Sequence, residues 1–216
     1  MTPSDIIAKV RPLIQDTRTP YRYSDTVLLQ FVNQSLKRMA MLRPDLFTVF
    51  ETIPTQPDTV IQQIPSNGLR LVEVYNVAGA GGTVITEVNK NALDQNYPGW
   101  RTAPSGVPVN YIRHVRNPST FFLYPAPTAG IEIVVEYAKT PDDYTIDADI
   151  VGLSETYLPI VVDGTVFLAE SVDNEHVNSN RAKLFQDSFN QSLAAGLQTR
   201  TLSDTDAGGL DPKQVV

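Results

Sequence analysis

Few residues in this chain could do acid–base or metal chemistry, and they are scattered. There are two histidines, His114 and His176, and no cysteine. His114 lies beside Arg113 in an alternating apolar–polar run, and His176 precedes a helical pattern. Neither falls in an HExxH or HxE pattern, so the spacing that holds zinc is missing. The absence of cysteine excludes a thiolate metal site, a disulfide framework and a thiol nucleophile. Carboxylates are densest at Asp142, Asp143, Asp147 and Asp149. A calcium loop needs oxygen ligands at alternate positions, then Gly and a distal Glu. Here Asp147 and Asp149 are followed by Val151, and the pattern stops. The stretch reads as a solvated acidic loop.

Other motifs resolve the same way. Gly79-Ala80-Gly81-Gly82 is Gly-rich, but a phosphate cradle leads into a helix, and a strand pattern from Thr83 to Val88 follows here. It reads as a hairpin tip. Asn33-Gln34-Ser35 and Asn190-Gln191-Ser192 match a glycosylation pattern but fall inside helical runs. No Gly-x-Ser-x-Gly elbow is present. Trp100, Phe121, Phe122 and Tyr124 could stack on bases, yet only Arg113 and Arg116 accompany them, so they read as core. No catalytic, cofactor-binding or metal-binding residue is assigned, and the expectation is a protein that is not an enzyme and carries no cofactor.

Composition points the same way. The 216 residues carry 17 Lys+Arg against 24 Asp+Glu, a net charge of −7. A dedicated nucleic-acid binder would show a basic excess. The chain is 42% hydrophobic, too apolar for global disorder, and no apolar run approaches the ~20 residues of a membrane span. With no signal-like N-terminus, a soluble, intracellularly made protein is expected. The charge is uneven. Residues 1–46 hold seven basic and four acidic side chains, 47–150 six and eleven, and 151–216 four and nine. Such opposite patches suit head-to-tail packing of identical subunits.

The elements follow from periodicity. Thr2-Pro3-Ser4-Asp5 opens a first helix with Ile6, Ile7, Val10, Leu13 and Ile14 on one face, and Pro12 should kink it or end it early. Ser24 caps a second, with Val27, Leu28, Phe31, Val32, Leu36, Met39 and Leu42 as its stripe and Arg43-Pro44 as its stop. From Phe47 to Lys139 the period changes to two. Strands are predicted at 47–53, 59–64, 69–75, 83–88, 109–115, 120–124 and 131–137, with a short helix at 90–96 and a hairpin turn at Asn117-Pro118-Ser119. Most of the 16 prolines punctuate this middle region. A third helix is predicted from near Ser154 to Pro159 onward. A turn at Asp173-Asn174 then leads to a fourth carrying Val177, Leu184, Phe185, Phe189, Leu193 and Leu197.

The predicted fold is α+β. Residues 1–46 and 151–199 supply N- and C-terminal helix pairs of a four-helix bundle, 47–150 form an inserted β-rich module, and 200–216 an extended tail.

Several phrases then fit together in order. They are Tyr23-Ser24-Asp25-x-x-Leu28 leading to Leu42-Arg43-Pro44-Asp45; Gly68-Leu69-Arg70-Leu71-x-Glu73-Val74; and Leu93-Asp94-x-x-x-Pro98-x-Trp100. Asn117-Pro118-x-Thr120-Phe121-x-Leu123-Tyr124-Pro125-x-Pro127 and Val135-Glu136-Tyr137-x-Lys139-x-Pro141 complete the set. From about Ser4 to Leu197 the chain resembles the head-to-tail connector (adaptor) proteins of short-tailed and related bacteriophages. Gly99, where the pattern has an acid, departs from it.

The resemblance implies a structural virion protein without catalytic residues, made in the host cytoplasm. It implies a helical bundle with an inserted β module. It also implies a ring, usually twelve-fold, between the portal protein and the tail or nozzle protein. DNA would pass through the ring's channel without sequence-specific binding, and no membrane is involved. A C-terminal arm would dock into the portal, which assigns that role to Arg200, Thr201, Leu202, Leu210, Pro212, Val215 and Val216. The alternatives are another tail-completion or baseplate-type protein, or a carbohydrate-binding module on the β insertion, with Trp100 and Tyr124 as its aromatics.

Overall fold

The computed structural model describes residues 1–79, 81–172 and 179–207, with backbone only at 179 and from 196 on. In chain order the elements begin with α1 (Pro3–Leu13), α2 (Asp25–Leu42), β1 (Thr48–Pro54), β2 (Ile61–Gln63), β3 (Gly68–Val77) and β4 (Thr86–Glu87). They continue with α3 (Lys90–Asn96), β5 (Asn110–Arg113), β6 (Thr120–Tyr124), β7 (Glu132–Lys139), α4 (Leu158–Glu170) and α5 (Ser179–Ala207). The chain divides into two compact units, one of Met1–Arg43 with Asp142–Val216, the other of Pro44–Pro141.

The helical unit starts from well-signalled ends. Thr2 and Asp5 form a reciprocal capping box on α1, and Pro12 lies in its last turn. Ser24 accepts from the Val27 amide to start α2, which stops at Arg43. The loop between them is tied by Asp16, whose carboxylate accepts from Arg11 Nη1 at 2.9 Å, Arg22 N at 2.7 Å and Tyr23 N at 3.1 Å.

The four-helix bundle built from two terminal pairs is not what forms. Instead α4 lies at the centre, and α1, α2 and α5 each pack on it; α5 makes its extensive contacts with α4 alone. The reason is the composition of α4. Its sequence LPIVVDGTVFLAE has two charged residues, and Val161, Val162, Gly164, Thr165, Val166, Ala169 and Glu170 are all buried. A helix apolar nearly all round takes neighbours on several sides rather than presenting one stripe to a bundle core. A fifth helix, α3, and two sheets make up the middle of the chain. The extended tail is also corrected at its start, because the backbone of residues 200–207 continues α5.

The β unit holds two sheets. In the first the order is β1-β7-β3, antiparallel throughout, with Val49 opposite Tyr137, Glu51 opposite Val135 and Ile53 opposite Ile133. The second runs β2-β6-β5-β4, with β4 parallel to β5 for two residue pairs. Ile53, Leu71, Val74, Ile133, Val135 and Tyr137 from the first sheet share one core with Tyr111, Phe121 and Leu123 from the second. Alternate residues of β5 and β6 face the other way. Ile112, Phe122 and Tyr124 pack with Leu93 of α3 and Trp100, so these two strands are covered on both sides.

Trp100 is fixed by a carboxylate. Asp94 Oδ1 accepts from the indole Nε1 at 2.8 Å and lies 3.0 Å from Arg101 Nη2, while its Oδ2 pairs with Lys90. The Lys90 and Trp100 hydrogen bonds, then the Arg101 charge, hold the Asp94 carboxyl down to about 2. An unfolded Asp titrates near ~3.9, so the folded value is the lower one. The stabilisation is therefore fully present above about pH 4 and is lost as pH falls toward 2. Thermal melts of Asp94→Asn should lie below wild type at pH 7, with the gap closing by pH 2 to 3. A gap independent of pH would contradict this.

Candidate functional site

The phrases that singled out this sequence turn out to hold backbone rather than substrate. Tyr23 donates its hydroxyl to Ala169 O at 2.8 Å, fastening the start of α2 to the end of α4. Asp25 pairs with Arg11, and Leu28 is fully buried. Gly68 leaves no room for a side chain, since a Cβ there would lie 2.6 Å from Ile64 Cδ1. Leu93, Asp94 and Trp100 make the cluster just described. Asn117 Oδ1 accepts from Ser119 N and Oγ and shapes the β5–β6 turn. Tyr137 donates to Glu51 across the first sheet, and burial followed by that carboxylate pushes its phenol up.

The candidates for chemistry do not converge. His114 accepts from the amides of Arg116 and Asn117 at Nδ1, at 3.2 and 2.9 Å, so it caps a turn. His176 lies outside the described residues. In the acidic loop, Asp143 lies 2.7 Å from Lys37 Nζ, and Asp149 lies 3.6 Å from the Met1 ammonium. Among the described residues no group of three or more acids or histidines could hold a metal ion. Gly79 and Gly81 have φ of 108° and 78°, and the Gly82 amide donates to Gly79 O at 3.2 Å, closing a turn after β3. Trp100 is 1% exposed, with its ring edge-on to Phe122 and Tyr124. An indole buried so deeply offers no face to a sugar. No helix of the described residues is long and apolar enough to cross a membrane.

Sequence reasoning missed the polar residues that secure the helices over long distances. Asn33, buried in α2, donates to Tyr144 O at 3.1 Å and accepts from Tyr144 N at 3.0 Å. Arg43, also buried, donates from Nη1 to Leu193 O at 2.8 Å. Ser188 donates to Asp163 at 2.6 Å, joining α5 to α4. No local pattern marks such residues, because each partner lies far along the chain.

The longest helix is α5. Among its described side chains Ala182, Phe189 and Leu193 are buried, and the Arg43 and Ser188 bonds also fall in this half. The backbone then continues as helix to Ala207, giving 29 residues, or about 43 Å at 1.5 Å per residue. Of the residues assigned to portal docking, Arg200, Thr201 and Leu202 lie on this helix. Leu210, Pro212, Val215 and Val216 lie outside the described residues. The site is thus a held helix whose far end carries Arg200, Thr201 and Leu202 of the assigned residues.

No curated protein matches this sequence. The SU10 adaptor protein family matches residues 1–210, nearly the whole chain. The chain therefore belongs to the SU10 adaptor protein family.

Proposed function

We propose that this phage adaptor, a structural component of the virion, joins the portal to the tail or nozzle as a ring of identical subunits, twelve by analogy with the adaptors it resembles. The ring extends the DNA channel. The end of α5, from Arg200 through Thr201 and Leu202 to Leu210, Pro212, Val215 and Val216, is the arm that docks on the portal. The observation that carries this reading is α5 itself, fastened at Ser188, Phe189 and Leu193 and continuing as helix to Ala207. A net charge of −7 suits a channel that passes DNA without gripping it.

Gold-labelled antibody against the chain, applied to particles whose tails have been detached, should decorate the head–tail junction. Label confined to the distal tail would place the protein in a baseplate and overturn this reading.

A further inference from the structure

The tip of the β5–β6 hairpin is a cationic surface on an acidic protein. Arg70, Arg113 and Arg116 are exposed there. Arg113 pairs with Glu87 at 3.0 Å, but the side chains of Arg70 and Arg116 have no partner among the described residues. Arg70, Leu71, Arg113, His114, Pro118 and Thr120 line a groove of about 150 Å³, enough for a short carboxylate side chain. Beside it Val115 is 92% exposed, the most exposed large apolar residue described.

This tip is held in shape. Nδ1 of His114 accepts two backbone amides, so its neutral ring carries the proton on Nε2 and keeps a donor. The ring also packs on Phe122, with centroids 5.6 Å apart. The Leu71 amide donates to Pro118 O at 2.9 Å, pinning the turn to β3. A turn held in place loses less backbone freedom on docking than a mobile one.

We infer that this hairpin is a subunit–subunit contact, and that its partner is the acidic loop, residues 142–151, of a second copy of the chain. The inference rests on the ring proposed above and names one of its interfaces. A head-to-tail ring needs two different, complementary patches on each subunit. The chain supplies both. Asp142, Asp143, Asp147 and Asp149 are all exposed within eight residues, Asp143 and Asp149 lying beside Lys37 and the Met1 ammonium, and Val151 next to them is 77% exposed. Cations on either side of a valine therefore meet a run of carboxylates that ends beside a valine. An apolar side chain at the centre of the patch favours a protein partner over a phosphate backbone, which would leave it unburied.

The test is charge reversal and restoration, with the purified portal as the template. The double variant Arg70→Glu with Arg116→Glu should melt as wild type yet need about tenfold more protein for half-maximal ring assembly. The variant Asp142→Arg with Asp147→Arg should show the same defect. A chain carrying all four changes restores opposite charges at the four altered positions and should recover assembly. Rings formed equally well by both double variants would overturn the inference. So would failure of the fourfold variant to recover while its melt stays at the wild-type temperature. Loss of binding to a labelled DNA duplex in Arg70→Glu with Arg116→Glu, with assembly intact, would assign the tip to DNA and overturn it as well. A wild-type chain that forms no ring on the portal would instead fail the ring reading itself.

Discussion

Deletion of residues 200–216 is expected to abolish association with the portal while leaving the monomer folded. The two halves of that expectation come from different parts of α5. Phe189 and Leu193 are buried at 2% and 3%, and the bonds from Ser188 to Asp163 and from Arg43 to Leu193 O also precede residue 200. Truncation at 199 removes none of them. The helical unit keeps α4 as its centre, and the melting temperature should stay within a degree or two of wild type. Portal co-sedimentation should fall to background, because the deleted stretch is the arm assigned to docking. A truncated chain that still sediments with the portal would sink the assignment of those residues.

Gly164→Val should markedly destabilise the helical unit. Gly164 lies on α4 where α2 and α5 meet it. A Cβ added there would stand 2.2 Å from Ser35 Oγ and 2.9 Å from Phe189 Cε2. Neither neighbour can easily yield. Ser35 is 1% exposed and donates to Val161 O, and Phe189 is 2% exposed. Overpacking of this kind costs about 1–3 kcal/mol, and a chain of this size loses roughly 2–4 °C per kcal/mol. A melting temperature lower by about 5–10 °C is expected for valine, with alanine nearer the low end. Pairing Gly164→Ala with Ser35→Gly should recover part of the loss, since it removes the closer clash. Equal melting of Gly164→Val and wild type would mean that α2, α4 and α5 do not meet at this point. The consequence reaches function, because the same crossing anchors the helix that carries the arm.

What the sequence reveals and what it hides divides along physical lines. Ends of elements are local chemistry. Thr2 and Ser24 as caps, Arg43-Pro44 as a stop, Asn117-Pro118 as a turn and 90–96 as a short helix were all legible, and each appears where it was expected. Periodicity identifies a buried face but not its neighbour. That is why the stripes suggested a four-helix bundle, when the all-round apolarity of α4 puts it at the centre of three others. Leu184, included in the fourth stripe, is 68% exposed, and Leu42 is 50% exposed. At 100° per residue Leu42 lies at the margin of the face set by Leu28, Val32, Leu36 and Met39, whereas Leu184 lies on the side of α5 opposite Ala182, Phe189 and Leu193. The strand expected at 83–88 is interrupted: Thr86–Glu87 pair with β5, while Val84 makes only an isolated bridge to Asn76 on the other sheet.

The candidate site was legible in outline and not in conformation. The polar stretch Arg200-Thr-Leu-Ser-Asp-Thr-Asp-Ala207 has few apolar residues to report a helix, yet α5 runs through it. The pair Gly208-Gly209 directly after it is a helix-stop signal that could have been read. Asn33 and Arg43 could not have been read at all. Their partners, Tyr144 and Leu193, are placed by the fold rather than by the sequence around them.

Solution mass of the full-length chain, measured alone and after mixing with purified portal, addresses the central claim most directly. The account predicts a chain that is monomeric alone and, with the portal, a complex whose added mass is a closed ring of adaptor subunits. A chain that stays monomeric beside an unchanged portal would contradict it.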